Sequence, residues 1–154
     1  MHKDRGSSSL RKGRKSIQGQ FYLVTTAVFN RIPVFAAHPG AAGIIMSSLH
    51  WLDNQQCMDL YAAVVMPDHL HFVAELKEGS LGQVMRSLKS YTANEINRLL
   101  GRKGAFWQGQ YHDHAVRKEE VLREVTLYTL NNPVRAGLVS DFHDYPHWYC
   151  KFEV

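Results

Sequence analysis

The sequence lacks any long hydrophobic run, and none of its apolar stretches approaches the ~20 residues that a membrane-spanning helix needs. Nothing at its N-terminus resembles a signal peptide. Cysteine is scarce, and Cys57 and Cys150 have neither the spacing of a zinc site nor the density of a disulfide scaffold. No internal repeat is visible. We therefore expect a cytoplasmic protein that neither spans a membrane nor depends on disulfides.

The composition is that of an ordinary globular protein with a basic excess. The length of 154 residues suits one domain. Hydrophobic residues make up 45% of the chain and charged residues 21%, ordinary values that allow a sizeable apolar core. The net charge of +4 and the pI of about 9.1 favour a polyanionic partner.

Much of the basic excess lies in residues 1–16, among serines and glycines with few apolar residues to bury. We expect this segment to be a flexible arm in front of a single domain over residues 17–154. The arm is either a solvated tail or a segment that lies along phosphates and adds salt-dependent affinity. The residues that would make those contacts are Arg11, Lys12, Arg14 and Lys15.

Apolar periodicity predicts alternating strands and helices along the chain. The expected elements are a strand at 21–28, a helix at 41–54, strands at 58–65 and 69–76, a helix at 81–100, an extended aromatic stretch at 106–116 and a helix at 118–130. Ser80 has the chemistry of an N-cap for the second helix. This order predicts an α+β fold, a ferredoxin-like sandwich with helices packed on a mainly antiparallel sheet.

Two histidines separated by one leucine stand in the most strand-like part of the chain. On a strand, His69 and His71 project from one face while Leu70 points to the other. Two neighbouring imidazoles on a rigid strand form half of a divalent-metal site. The alternative is that two histidines fell together on a solvated strand face.

Tyr128 and Asn132 are four residues apart near the end of the last long helix, a spacing that places two side chains on one helical face. An amide oxygen can ligate Mg²⁺ or Mn²⁺, and a phenol can attack a phosphodiester. With a pKa of about 10, a phenol at neutral pH is roughly 4 kcal/mol short of ionisation, which a metal on the phosphate can offset. The alternatives are a core aromatic and a helix-terminating residue before Pro133.

These motifs together resemble a known family. His69-Leu70-His71 is similar to the His-hydrophobic-His signature of the HUH endonucleases. The segments at 106–108 and 114–117, followed by Tyr-x-x-x-Asn-Pro-Val-Arg-Ala-Gly at 128–137, resemble the single-tyrosine transposases. These include the insertion sequence 200-like enzymes and above all the REP-associated tyrosine transposases. The resemblance runs from about residue 20 to residue 148.

The resemblance implies an enzyme that cuts and rejoins single-stranded DNA near hairpins through a 5′-phosphotyrosine link. By position, Tyr128 would be the nucleophile, and His69, His71 and Asn132 would hold the metal, Mg²⁺ or Mn²⁺. Many insertion-sequence relatives use a glutamine as third ligand, whereas an asparagine matches the REP-associated branch. The resemblance further implies action at the nucleoid, as a homodimer or a monomer.

Several other residues are candidates for contacts with DNA. Trp107 could stack on unpaired bases, although such aromatics more often lie in a core. His114 could support the site or contact DNA, and Arg117 and Arg135 could contact phosphates. Tyr91 is a rival nucleophile, although its surroundings suggest helix core.

Three functions remain open from the sequence. The first is the metal-dependent nicking and joining enzyme. The second is a domesticated protein that binds DNA hairpins without cutting them. The third is a metal-dependent phosphohydrolase that acts on small phosphoesters.

Overall fold

An antiparallel sheet of five strands forms the centre of the structure, a computed structural model that describes residues 16–117 and 119–154 without the side chains of 119 and 120. The strands are β1 (Phe21–Val28), β2 (Met58–Met66), β3 (His69–Leu76), β4 (Trp107–Val116) and β5 (Trp148–Cys150). Their order is β4-β1-β3-β2-β5. The expected ferredoxin-like α+β sandwich is confirmed, with β5 as an unpredicted edge strand.

In the described part of the chain, five helices accompany the sheet: α1 (Val34–Ala37), α2 (Pro39–Asn54), α3 (Leu81–Leu100), α4 (Glu119–Leu130) and α5 (Asn132–Arg135). Short 3-10 turns occur at Phe29–Arg31 and Phe142–Asp144. Ser80 caps α3 as predicted, in a reciprocal capping box with Gln83, a device that stabilises a helix by about 1 kcal/mol. Within the described ranges, no helix has the length and apolar character needed to cross a bilayer.

The two faces of the sheet carry different helices. Leu70 and Phe72 of β3 are fully buried on one face, in a core cluster with apolar residues of α2 and α3. The alternate residues of β3 point to the other side, which we call the histidine face and define by Thr25, His69, His71 and Val73. Val73 packs there with α4. The prediction that His69 and His71 share a face opposite Leu70 is therefore confirmed.

The turn between β2 and β3 consists only of Pro67 and Asp68, and β3 is paired with β1 and β2 along its length. A central strand held by hydrogen bonds on both edges is a rigid support. The histidine pair begins immediately after this turn, so the hairpin fixes its position.

The last part of the chain departs from one sequence-based expectation. Tyr128 and Asn132 do not share a continuous helix, because α4 ends at Leu130 and Asn132 begins the short helix α5. Pro133 lacks a backbone N–H and restricts the residue before it, which accounts for the break. The basic residues of the predicted arm, Arg11, Lys12, Arg14 and Lys15, lie outside the described residues.

Candidate metal and nucleophile site

The histidine pair is compact. The ring centroids of His69 and His71 are 4.7 Å apart with an interplanar angle of 88°. Thr25 lies opposite His71 on β1, and Val64 lies opposite it on β2. The two imidazoles therefore stand side by side on the central strand, with neighbouring strands fixing the backbone beneath them.

His69 is oriented by the residue before it. Its Nδ1 lies 2.6 Å from Asp68 Oδ1, while Asp68 Oδ2 accepts a hydrogen bond from Arg31 Nε at 2.9 Å. Burial would raise the pKa of the Asp68 carboxyl, but the hydrogen bonds from Arg31 and His69 outweigh it and lower that pKa. An ionised carboxylate only accepts, so Nδ1–H of His69 donates to it, which makes Nε2 the ring nitrogen that could ligate a metal.

His71 is held in a similar way from the neighbouring strand. Its Nδ1 lies 2.8 Å from Thr25 Oγ1. Burial lowers the pKa of His71 from 6.5 to about 4, and the charges of His69, Arg135 and Arg31 act in the same direction. The ring is therefore neutral at pH 7. This contact fits the tautomer in which Nδ1–H donates to the threonine hydroxyl, which would leave the Nε2 lone pair for a metal.

The donor set fits a divalent cation if an amide completes it. Among the described residues, no group of three or more His, Cys, Asp or Glu side chains is arranged to bind a metal. Asn132 Nδ2 donates to the Thr129 carbonyl at 2.8 Å, so Oδ1 is the atom of this amide that could ligate a cation. Its neighbours Leu130 and Val134 pack in one cluster with Val73 on the histidine face. Two imidazoles and one amide oxygen leave coordination positions open for water and phosphate.

Tyr128 projects outward from α4 on the histidine face. Its side chain is 63% exposed, and the guanidinium of Arg135 lies 3.5 Å from its ring centroid. Arg135 is also one of the charges that lower the pKa of His71. Arg135 therefore contacts the Tyr128 ring and acts electrostatically on His71, and the phenol is not buried in apolar packing.

The rival tyrosine lies elsewhere. Tyr91 is 57% exposed, and with Trp51 it lines a groove between α2 and α3. Because α3 packs on the opposite face, the sheet separates Tyr91 from the histidines. The expectation that it belongs to a helix core was wrong.

Base stacking by Trp107 was also a wrong prediction. Trp107 is 6% exposed, and its indole N–H donates to Thr92 Oγ1 at 3.0 Å. Phe106 and Tyr111 are buried with it. These aromatics fill the space between β4 and α3, where the polar atom of the indole finds its partner on α3.

His114 and Arg117 are exposed, so their contacts with DNA remain predictions. The register places His114 opposite Leu23 and His112 opposite Thr25, and both histidines therefore lie on the histidine face.

Sequence reasoning missed three residues of the site: Thr25, Arg31 and Asp68. Asp68 adjoins His69 in the sequence, which was a usable signal for a supporting carboxylate. Thr25 is 46 residues from His71, and Arg31 is 37 residues from Asp68. No local pattern indicates contacts across such separations.

This chain is similar to known proteins in both sequence and fold. A family model described as "Transposase IS200 like" matches residues 20–132. A REP-associated tyrosine transposase of Escherichia coli K12 is 30% identical over 90 residues, which cover 57% of this chain and 52% of that protein. A protein of Haemophilus influenzae, provisionally named a REP-associated tyrosine transposase, is 27% identical over 97 residues, covering 56% of this chain and 55% of that one.

A solved structure of a REP-associated tyrosine transposase bound to a REP hairpin is similar in fold, with a TM-score of 0.71 and 23% identity. The match covers 88% of this chain and 79% of that one. The chain spans about half the length of the curated relatives it matches. The paired histidines, the exposed tyrosine on the same face and a family match over most of the chain agree: this protein belongs to the IS200-like transposase family.

Proposed function

We propose that this protein cuts and rejoins single-stranded DNA beside hairpins, using Tyr128 as the nucleophile. His69, His71 and Asn132 hold a divalent metal, Mg²⁺ or Mn²⁺. The observation that carries the proposal is the imidazole pair on the sheet face that α4 covers. The Nδ1 atoms are held by Asp68 and Thr25, which leaves the two Nε2 atoms as the nitrogens that could ligate a metal. A bound metal would act as a Lewis acid on the scissile phosphate.

The chain's own residues account for the rest of the chemistry. Tyr128 Oη loses its phenolic proton and attacks the phosphorus. The P–O3′ bond breaks, and the 3′ oxygen takes up a proton and leaves as a free hydroxyl, so the step has no net gain or loss of protons. The new 5′-phosphotyrosine ester retains the energy of the broken bond, so the reverse attack by a 3′-hydroxyl rejoins DNA without ATP. The neutral state of His71 keeps its lone pair available at pH 7. Fixed rings on a central strand provide the positioning on which in-line phosphoryl transfer depends.

The relatives and the net charge support a hairpin-bearing DNA substrate. A structural relative is bound to a REP hairpin, and the net charge of +4 suits a polyanion. We further propose a basic arm over residues 1–16 and a domain over 17–154, with action in the cytoplasm at the nucleoid. The oligomeric state, dimer or monomer, determines whether Tyr128 acts with the histidines of its own chain or with those of a second copy.

A covalent-adduct assay tests the proposal. Hairpin-bearing single strands are incubated with the protein and Mn²⁺ or Mg²⁺ and resolved under denaturing conditions. A protein–DNA adduct is expected with wild type and with Tyr91→Phe, and none with Tyr128→Phe. An adduct that survives in Tyr128→Phe contradicts the assignment. Hairpin binding in EDTA without an adduct under any metal supports a domesticated binding protein, and turnover of small phosphoesters without an adduct supports a phosphohydrolase.

A further inference from the structure

A guanidinium that no sequence motif indicated lies beside the histidine pair. Arg31 ends the 3-10 turn after β1, and its side chain reaches the turn between β2 and β3. Its Nε donates to Asp68 Oδ2 at 2.9 Å, and one terminal nitrogen lies 3.5 Å from His69 Nδ1. The side chain remains 55% exposed. Since a guanidinium has five N–H donors, several remain for a further acceptor.

The backbone around Arg31 is held in an uncommon conformation. Asn30 and Arg31 have φ values of 60° and 55°, in the left-handed region that side chains other than glycine rarely adopt. Backbone hydrogen bonds tie this segment to the hairpin turn at both ends, from Val28 N to Asp68 O at 2.9 Å and from Phe35 N to Pro67 O at 3.0 Å. The surrounding structure therefore fixes where the arginine begins.

Two arginines contact residues of the candidate site. The Arg135 guanidinium stacks on the Tyr128 ring. Arg31 lies against His69, with one terminal nitrogen 3.5 Å from Nδ1. Asp68 neutralises part of the Arg31 charge. Arg31 therefore acts mainly through its directed N–H groups, whose geometry matches the oxygens of a phosphate.

Building on the function proposed above, we propose that Arg31 donates hydrogen bonds to a non-bridging oxygen of the scissile phosphate. Asp68 is then a positioning residue with two partners, since one carboxylate oxygen orients His69 and the other orients Arg31. This arrangement places a charge-assisted donor where negative charge accumulates as the phosphoryl group is transferred.

The test compares Arg31→Gln, Arg31→Lys and Asp68→Asn with wild type. Arg98→Gln is the matched control, because Arg98 is also an exposed arginine paired with a carboxylate, Glu95 at 2.6 Å, but lies on α3 across the sheet. The readouts are the single-turnover cleavage rate of a hairpin substrate, Mn²⁺ affinity by electron paramagnetic resonance, and hairpin affinity in EDTA. Circular dichroism melts check folding.

Arg31→Gln is expected to lower the cleavage rate by about 10²–10³-fold, as for loss of one transition-state donor, with unchanged Mn²⁺ affinity. Arg31→Lys should recover part of the rate, because it restores the charge without the fork. Asp68→Asn should also weaken Mn²⁺ binding, by about 10–100-fold, as loss of a support for a metal-binding histidine does. Arg98→Gln should match wild type throughout.

A substrate with a neutral methylphosphonate at the scissile position separates contact from folding. If Arg31 touches that phosphate, the methyl substitution slows wild type at least about tenfold more than it slows Arg31→Gln, because the variant has already lost the contact. Equal penalties, or an Arg31→Gln rate equal to that of Arg98→Gln, overturn the inference while leaving the proposed function intact. A wild type that forms no Tyr128 adduct overturns the proposed function and this inference with it.

Discussion

Acidification should destabilise the metal-free protein through His71. Its pKa falls from 6.5 to about 4 on folding because the ring is buried and positively charged neighbours surround it. Since the unfolded chain binds this proton more tightly than the folded protein does, unfolding takes up a proton within that window. The free energy of unfolding therefore falls as the pH drops. At about 1.4 kcal/mol for each pKa unit, the full effect is about 3 kcal/mol.

Urea unfolding in EDTA at pH 7 and at pH 4.5 measures this contribution. Other groups titrate over the same range, so the quantity of interest is the difference between wild type and His71→Gln. The glutamine keeps a polar group near Thr25 but does not titrate. Wild type is expected to lose about 2 kcal/mol more than the variant between the two pH values.

His143→Gln provides the control for removing a histidine. His143 is exposed, and its hydrogen bond with Asp141 raises its pKa, so its removal cannot lessen the destabilisation at low pH. Equal losses in wild type and His71→Gln would refute the reasoning. They would mean that the ring accepts a proton in the folded protein as readily as in the unfolded chain.

Three further predictions concern neighbouring residues. Thr25→Val should weaken Mn²⁺ binding by about tenfold, measured by titration calorimetry, because His71 loses the partner of its Nδ1; unchanged affinity would contradict the assigned orientation. Trp107→Phe should lower the free energy of unfolding by about 1–2 kcal/mol through the lost bond to Thr92, while hairpin affinity stays unchanged, since a buried indole cannot stack on a base. Asn132→Ala should lower Mn²⁺ affinity with little change in the melting temperature, and an unaltered affinity would remove Asn132 from the ligand set.

Local pattern was sufficient for the elements with strong periodicity. The apolar alternation of β2 and β3 and the helical spacing in α3 predicted those elements closely, and the Ser80 cap marked the start of α3. The short elements α1 and β5 were missed, because four or three residues are too few to show a period. Both elements depend on contacts with distant parts of the chain, which a local sequence pattern cannot indicate.

The candidate site also contains residues that local pattern predicts and residues that it does not. The pair of His69 and His71 was predictable because alternation on one strand determines which face each residue occupies. Arg31 was not, because its contact with Asp68 joins segments 37 residues apart. Trp107 shows a third limit: an aromatic residue in an extended stretch is equally suited to a core and to a base-stacking surface, and only the packing of α3 against β4 distinguishes them.

The tight connection between β2 and β3 limits how this protein can vary in length. Inserting a single residue between Pro67 and His69 without a compensating bulge would shift the strand by one step and invert every side chain along it. The imidazoles would then point into the apolar core, and Leu70 would lie on the face where the proposed cation binds. We therefore expect insertions and deletions to be tolerated only in loops that leave the number of residues between β2 and β3 unchanged.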